Sequence, residues 1–494
     1  MTTRKLLCAL FSLAAGAALA KESAVVSVDV QKPGAEISPT ALGLSYETSR
    51  LLPDEKGVHY FRPDNLPLVT LFQTLGIKSL RIGGNSVDAP LIAIPAETDV
   101  RLLFDFARAA GVKVIYSVRL LHGEPEQAEQ VARFIHHNYA DVLDGFAIGN
   151  EPDYYKDYEV YRARWTAIHD AILGACPEAK FFGPDQNPPS SKESGPDAPP
   201  NLFEKMVRDF GNETGRLACL TVHSYPFGCS YKNPGVAADD VLKLVPTDAT
   251  EARQKMLSPA AMDIYEKIRL SMAKATAGTS LSYRLGEVNS YWFSGLKGAS
   301  DSYASALWVV DYSLWWTSHG ASGLNFHTGD KTGGAIMLPC RYAAFVTSSN
   351  GYTSRPLAYG LKLFDLGGHG KFLPVTIAAG TNENLSAYAT LAEDKTVFVT
   401  VINKAHGPTA TNCEISVQLN LPPAGSTIQT IQLTARDNDI AGSSADVLLG
   451  GSRIREDGTW SGKWQTVPVE KPDGFLKLDL PPASAAVISF SKDN

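Results

Sequence analysis

Several things are scarce in this sequence, and each scarcity removes a class of protein. Six cysteines occur in 494 residues. Cys8 lies in an N-terminal apolar run, and the other five (Cys176, Cys219, Cys229, Cys340 and Cys413) follow no metal-ligand spacing. At most two disulfides can form among five thiols, and a Cys229–Cys340 bridge between two loops at one face is one candidate. The ten histidines are scattered, with no H-E-x-x-H, so neither metal nor other cofactor is expected. There is no Gly-x-Ser-x-Gly elbow for a serine nucleophile and no Gly-rich phosphate turn after the first strand. Basic blocks are missing too; the net charge is −7, which disfavours nucleic acid as a partner. Internal repeats and low-complexity tracts are likewise absent.

Long apolar runs are missing except at the start. Arg4 and Lys5 precede the apolar stretch 6–19, and Ala18-Leu19-Ala20 is a small-x-small site before Lys21. This reads as a secretory signal peptide over 1–20, with a secreted or periplasmic mature chain that has no membrane contact after cleavage.

What is present is a sustained strand–helix alternation. Apolar runs at 41–46, 78–82, 113–118, 145–148, 180–183, 220–224, 282–286 and 323–326 read as strands. Helical periodicity fills the gaps at 66–75, 100–110, 126–139, 158–174, 202–210, 260–275 and 303–318, with an eighth helix at 355–366. Eight such units predict a closed (β/α)8 TIM barrel over 36–370. After Gly367-Gly368-His369-Gly370 the pattern changes to short alternating strands punctuated by Pro, Gly and Asn. Residues 371–494 therefore read as a C-terminal all-β sandwich, which a strand near 24–30, within an N-terminal segment 21–35, joins. Two long loops, 184–201 and 228–259, are rich in Pro, Ser and Asp.

The chemistry gathers at strand ends. Strand four ends in Gly149-Asn150-Glu151-Pro152, where Pro152 restricts Glu151 towards an extended conformation on a fixed turn. Strand seven ends in Leu285-Gly286-Glu287. Both carboxylates fall at the C-terminal face, where such barrels keep their active sites. A pair of carboxylates flanking one bond is the equipment of glycoside hydrolysis. Tyr46, Glu47, Arg81, Asn85, His223, Tyr225 and His327 end other strands, and Tyr154, Tyr155, Phe227, Tyr291, Trp292 and Phe293 offer aromatic faces for a sugar ring. For Arg81 or His327 taken singly, a structural role is the simpler reading. The helical Trp308, Trp315 and Trp316 read as core.

On the motifs Gly43-Leu44-Ser45-Tyr46-Glu47, Leu80-Arg81-Ile82-Gly83-Gly84-Asn85, Gly149-Asn150-Glu151-Pro152 and Leu285-Gly286-Glu287, the chain resembles glycoside hydrolase family 79, that of heparanase and the microbial β-glucuronidases. The resemblance covers nearly the whole chain after the leader. It implies a retaining β-glucuronidase with Glu151 as acid/base and Glu287 as nucleophile, acting on a glucuronide or glucuronate-containing glycan. It also implies that Asn150 holds the sugar 2-hydroxyl, that Tyr225 bonds the nucleophile, and that Glu47 and Asn85 line the glycone pocket. The family commonly places a Tyr five residues after the nucleophile; here Trp292 stands there, with Tyr291 before it. Tyr291, Trp292 and the backbone of Gly333 and Gly334 are then the expected donors to the glucuronate carboxylate. The alternatives are a clan relative acting on a neutral sugar (β-glucoside or β-xyloside) and, from a different class, a non-catalytic carbohydrate-binding protein.

Overall fold

The computed structural model describes residues 22–190, 193, 198–211, 217–228, 248–331, 339–379, 384–420, 426–467 and 475–492. The leader expected over 1–20, Cys229, Gly333 and Gly334 lie outside them.

The first strand, β1 (Glu22–Val28), precedes a closed eight-stranded barrel. The barrel is formed by β2 (Leu42–Glu47), β3 (Ser79–Gly83), β4 (Lys113–Val118), β5 (Leu143–Ile148), β6 (Phe181–Gln186), β7 (Cys219–Ser224), β8 (Ser282–Val288) and β9 (Ala321–His327). Neighbouring strands are parallel, and β2 closes the ring against β9. These strands are buried on both faces, which is why they read as short continuous apolar runs without alternation. Ile115, Ala147, Phe182 and Cys219 fill part of the interior. Helices Glu97–Ala110 and Pro125–Tyr139 keep one apolar face inward. Helix Tyr303–Ser318 is buried over nearly its whole length, so Trp308, Trp315 and Trp316 are core as expected.

Beyond helix Pro356–Gly367 two antiparallel-rich sheets form the sandwich. β1 joins the smaller one, lying antiparallel to Val375–Ala379 and parallel to Cys413–Leu419. Strand Cys413–Leu419 shows the strict inside–outside alternation of a half-buried strand. A buried ion pair ties sandwich to barrel: Lys404 Nζ lies 2.6 Å from Asp311 Oδ2, and the Tyr388 hydroxyl donates to Asp311 Oδ1 at 2.7 Å.

Three features depart from the sequence expectation. The fifth barrel strand runs on to Gln186 through Pro184, where the expected strand stops at 183; the 183–184 peptide is cis and the register against β7 shifts there. A helix, Ala249–Leu257, capped by Asp248, stands in the span read as loop 228–259. A hairpin, Phe345–Ser348 with Gly351–Ser354, precedes the last barrel helix. Cys340 is buried as a free thiol, and Cys229, the other half of the candidate bridge, lies outside the described residues. No helix among them is long and apolar enough to cross a membrane.

Candidate active site

The residue order after β5 builds the first half of the site. Gly149 adopts φ 79°, and a Cβ there would meet Leu120 at 2.7 Å, so the chain can turn at this point only as glycine. Glu151 follows in a left-handed conformation (φ 43°) and not the extended one expected ahead of Pro152, because its N–H is held by the Asp185 carbonyl at 2.8 Å. Such strain on a non-glycine residue is a mark of functional positions. Asp88 braces the turn from below. Its Oδ2 accepts from the Asn150 N–H (3.0 Å) and the Tyr154 hydroxyl (2.8 Å), while Oδ1 accepts from the N–H groups of Leu120 and Leu121.

Glu287 comes from within β8 and is buried. The Tyr225 hydroxyl donates to its Oε1 at 2.7 Å, and Arg81 Nη1 to its Oε2 at 2.9 Å. His327 Nδ1 stands 3.5 Å from the same Oε2. Burial alone would favour the protonated acid; the positive charges of His327, His223 and Arg81, with the Tyr225 bond, overcome it and hold the carboxyl down at about 2. Glu287 is therefore ionised at neutral pH, the state a nucleophile needs.

Arg81 is the hub. Wholly buried, it donates to Ser45 Oγ (3.0 Å), Asn150 Oδ1 (2.8 Å), Glu287 Oε2 and, through Nε and Nη2, Asp185 Oδ2 (3.1 and 2.8 Å). A planar guanidinium reaching strand ends on several sides of a barrel uses most of its donor fork at once. The simple structural reading of Arg81 thus gives way to one in which it fixes the nucleophile and the residue beside the acid. His223 lies between the carboxylates: Nδ1 is 2.9 Å from Glu151 Oε1 and Nε2 is 3.6 Å from Asp185 Oδ1. Burial disfavours its cation, but Glu287, Asp185 and Glu151 outweigh that and lift its pKa to about 9.

Glu47, Asn85 and Asn150 gather where expected. Asn150 Nδ2 donates to Asn85 Oδ1 at 3.1 Å, and Glu47 Oε2 accepts from the Ser86 N–H at 2.8 Å. A Cβ on Gly84 would sit 2.5 Å from the Glu47 carboxylate and one on Gly83 2.7 Å from Ser117 Oγ, which explains the paired glycines of that motif. His327 Nε2 approaches Glu47 Oε1 to 3.6 Å. Beside Glu47 opens a cavity of about 540 Å³ whose lining includes Tyr46, Arg50, Tyr60, Asp330 and Lys331.

The expected carboxylate donors do not all converge. Tyr291 is fully buried, packs on Phe227 and gives its hydroxyl to the Ala252 carbonyl at 2.9 Å. The apolar demand of the core and a backbone acceptor on the unforeseen helix Ala249–Leu257 draw it away from substrate. Trp292 is partly buried against Tyr225, Cys340 and Tyr342, at the edge of the site. Phe227 is core, whereas Phe293 is exposed.

Oxygen and nitrogen atoms of Glu151, His223 and Glu287 all lie within 4.8 Å of one another. Three such donors are a set that could hold a metal, but each is already engaged, and Arg81 supplies Glu287 with a cation. The donor set fits paired carboxylates better than a metal centre. The pair sits on a ring of eight parallel strands, with Glu151 just beyond the fourth and Glu287 within the seventh.

No family model matches the chain. A β-glucuronidase from Aspergillus niger is 24% identical over 480 residues, covering 83% of each chain. Among solved structures, a 4-O-α-L-rhamnosyl-β-D-glucuronidase from Fusarium oxysporum superposes with a TM-score of 0.65 at 18% identity, covering 94% of this chain and all of that one. A family 51 arabinofuranosidase from Xanthomonas axonopodis pv. citri gives 0.64 at 15% over 95% and 100%. A β-xylosidase from Caulobacter crescentus gives 0.62 at 12% over the same shares. The fold is that of the clan A retaining glycoside hydrolases. The likeness to the family 79 enzymes read from the sequence motifs accords with the curated relative.

Within that fold, two residues escaped the sequence reading. Asp185 was hidden because Pro184 looked like the end of a strand and the start of a loop. Asp88 sits in a short turn after the Gly-Gly-Asn motif, with nothing in its spacing to single it out. A Gly-Pro-Asp following an apolar run of strand length was the signal available for Asp185.

Proposed function

We propose that this chain is a retaining β-glucuronidase of family 79, exported to the periplasm or the medium. The single observation that carries hydrolysis with retention is the approach of Glu151 and Glu287 carboxylate oxygens to within 4.8 Å. Retaining enzymes keep their carboxyl groups about 5–5.5 Å apart, while inverting enzymes need about 6.5–9.5 Å to admit a water. Glu287, ionised and aimed by Arg81 and Tyr225, attacks the anomeric carbon. Glu151 gives a proton to the leaving oxygen, then takes one from the water that releases the glycosyl-enzyme. Asn150, held by Arg81 and Asp88, takes the role that the family resemblance gives it, bonding the sugar 2-hydroxyl.

The glucuronate choice rests on the motifs shared with family 79 and on the Aspergillus and Fusarium relatives, both glucuronidases. The burial of Tyr291 favours the second reading, a neutral β-glycoside, since it takes one donor from the carboxylate set. A panel of aryl β-glycosides separates the two. We expect the glucuronide to be preferred over the glucoside by on the order of a hundredfold, because a pocket built to bond a carboxylate leaves donors unpaired with glucose. NMR of the first-formed sugar should show the β-anomer; release of the α-anomer would end the retaining assignment. Turnover of none of the panel would favour a non-catalytic carbohydrate-binding protein.

A further inference from the structure

Two of the buried polar atoms without a hydrogen bond face each other across the heart of the site. They are Nε2 of His223 and Oδ1 of Asp185, 3.6 Å apart. Native structures seldom leave such atoms unpaired, and the gap closes to a bond with a shift of under ~1 Å. That contact is attractive only if Nε2 carries a proton. Asp185 is in no position to adapt: Arg81 bonds its Oδ2 twice, and its N–H donates to Thr221 Oγ1 at 3.0 Å. The space on its other side exists because residue 286 is glycine, where a Cβ would sit 2.6 Å from Oδ1.

With Nε2 committed to Asp185, His223 Nδ1 faces Glu151 Oε1 at 2.9 Å, a distance that needs one proton between them. We propose that Asp185 and His223 form a positioning pair for proton delivery, in which Asp185 fixes the imidazole so that its Nδ1 shares the transferred proton with Glu151. The proposal rests on reading Glu151 as the acid/base. During glycosylation that proton goes to the leaving oxygen as its bond to the anomeric carbon breaks and Glu287 bonds the carbon. During deglycosylation the pair regains one proton from the attacking water. The charged groups facing His223 are Glu151 and Asp185 in contact, with Glu287 and Arg81 behind; Asp153 is a further charge near Glu151. The raised pKa of His223 agrees with this surrounding of three carboxylates and one guanidinium.

Asp185→Asn tests the pair in the full chain with whichever aryl glycoside the enzyme turns over best, beside its alkyl counterpart. Removing the negative charge weakens the hold on the shared proton, so the alkaline limb of the kcat/KM profile should move down by roughly one pH unit. The alkyl glycoside, which needs full protonation, should lose at least about tenfold more turnover than the activated aryl one. Equal loss on both with an unmoved limb would mean that Asp185 is only structural, and would overturn the proposal. Should the variant not fold, histidine-labelled wild-type protein answers by NMR. The signal that disappears in His223→Gln should show Nε2 protonated throughout the alkaline limb, with only Nδ1 changing; an unprotonated Nε2 would overturn the pairing. The acid/base reading itself is judged apart, by azide rescue of Glu151→Ala, which leaves Asp185 untouched.

Discussion

At the scale of single residues, the two glutamates carry the same functional group into different surroundings. Glu287 is enclosed by Arg81, Tyr225 and two histidines; Glu151 retains a quarter of its side chain open and, among the described residues, pairs with His223 as its one basic partner. Their replacement should therefore fail differently. Glu287→Gln should abolish turnover of every substrate, since an amide is too poor a nucleophile to form the covalent intermediate. Glu151→Ala should damage poor leaving groups most and spare activated phenols, and azide should then speed turnover as a glycosyl azide forms. Equal damage to all leaving groups would contradict the role given to Glu151. The same surroundings set a pH window for stability. Glu287 titrates below its ordinary 4.5, so its contribution is complete above that value and is lost as pH falls through about 2. His223 titrates above its ordinary 6.5, so its contribution is complete below that value and is lost as pH rises through about 9. Calorimetry should find the melting midpoint highest between those ordinary values and falling from pH 6.5 towards 9; a midpoint that climbs over that range would contradict the charge assigned to His223. The glutamates themselves were legible in the sequence because Gly and Pro punctuate the strands that carry them. Asp185 was not, because proline ordinarily ends a strand and this one continues through it. Tyr291 was misplaced because nothing in a lone chain tells which way a loop side chain turns.

At the scale of the element, the barrel strands were readable wherever both faces are apolar, and their ends were readable within a few residues. The hairpin Phe345–Ser348/Gly351–Ser354 was not, since its strands are four residues each and half exposed. Register inside the barrel is guarded by glycines. A Cβ on Gly145 would stand 2.5 Å from the Lys180 carbonyl, the acceptor of the Phe146 N–H that joins β5 to β6. Gly145→Ala should therefore push these strands apart and cost about 1–3 kcal/mol, with kcat/KM falling as Glu151 is displaced. Gly174, in helix Tyr158–Ala175, has nothing within 4 Å of such a Cβ. Gly174→Ala should stabilise by about 0.4–1 kcal/mol with unchanged kinetics. Urea unfolding of the pair measures the contrast; similar midpoints would show that the β5–β6 contact tolerates a methyl group.

At the scale of the whole molecule, barrel and sandwich share a buried charge. Lys404 and Asp311 are both almost inaccessible, and the Tyr388 hydroxyl donates to the same Asp311 carboxylate. Lys404→Met leaves a buried carboxylate with one neutral donor and should cost about 3–5 kcal/mol. Adding Asp311→Asn removes the stranded charge while keeping an oxygen for Tyr388, and should recover most of that loss by urea unfolding. Failure to recover would mean that the lysine stem, not its charge, does the joining. The two-layer plan was legible from the change of pattern near residue 370; this tie was not, because no spacing links positions so far apart in the chain. The order of synthesis gives β1 a further consequence. It leaves the ribosome before the barrel, yet its neighbours are Val375–Ala379 and Cys413–Leu419, and Val30 bonds the side chain of Asn420, 390 residues later. A strand translated ahead of the barrel must wait, unpaired, for partners translated after it, and contacts of such span are slow to form. The sandwich is thus written on both sides of the barrel in the sequence, and a single cut between the two cannot release either one whole.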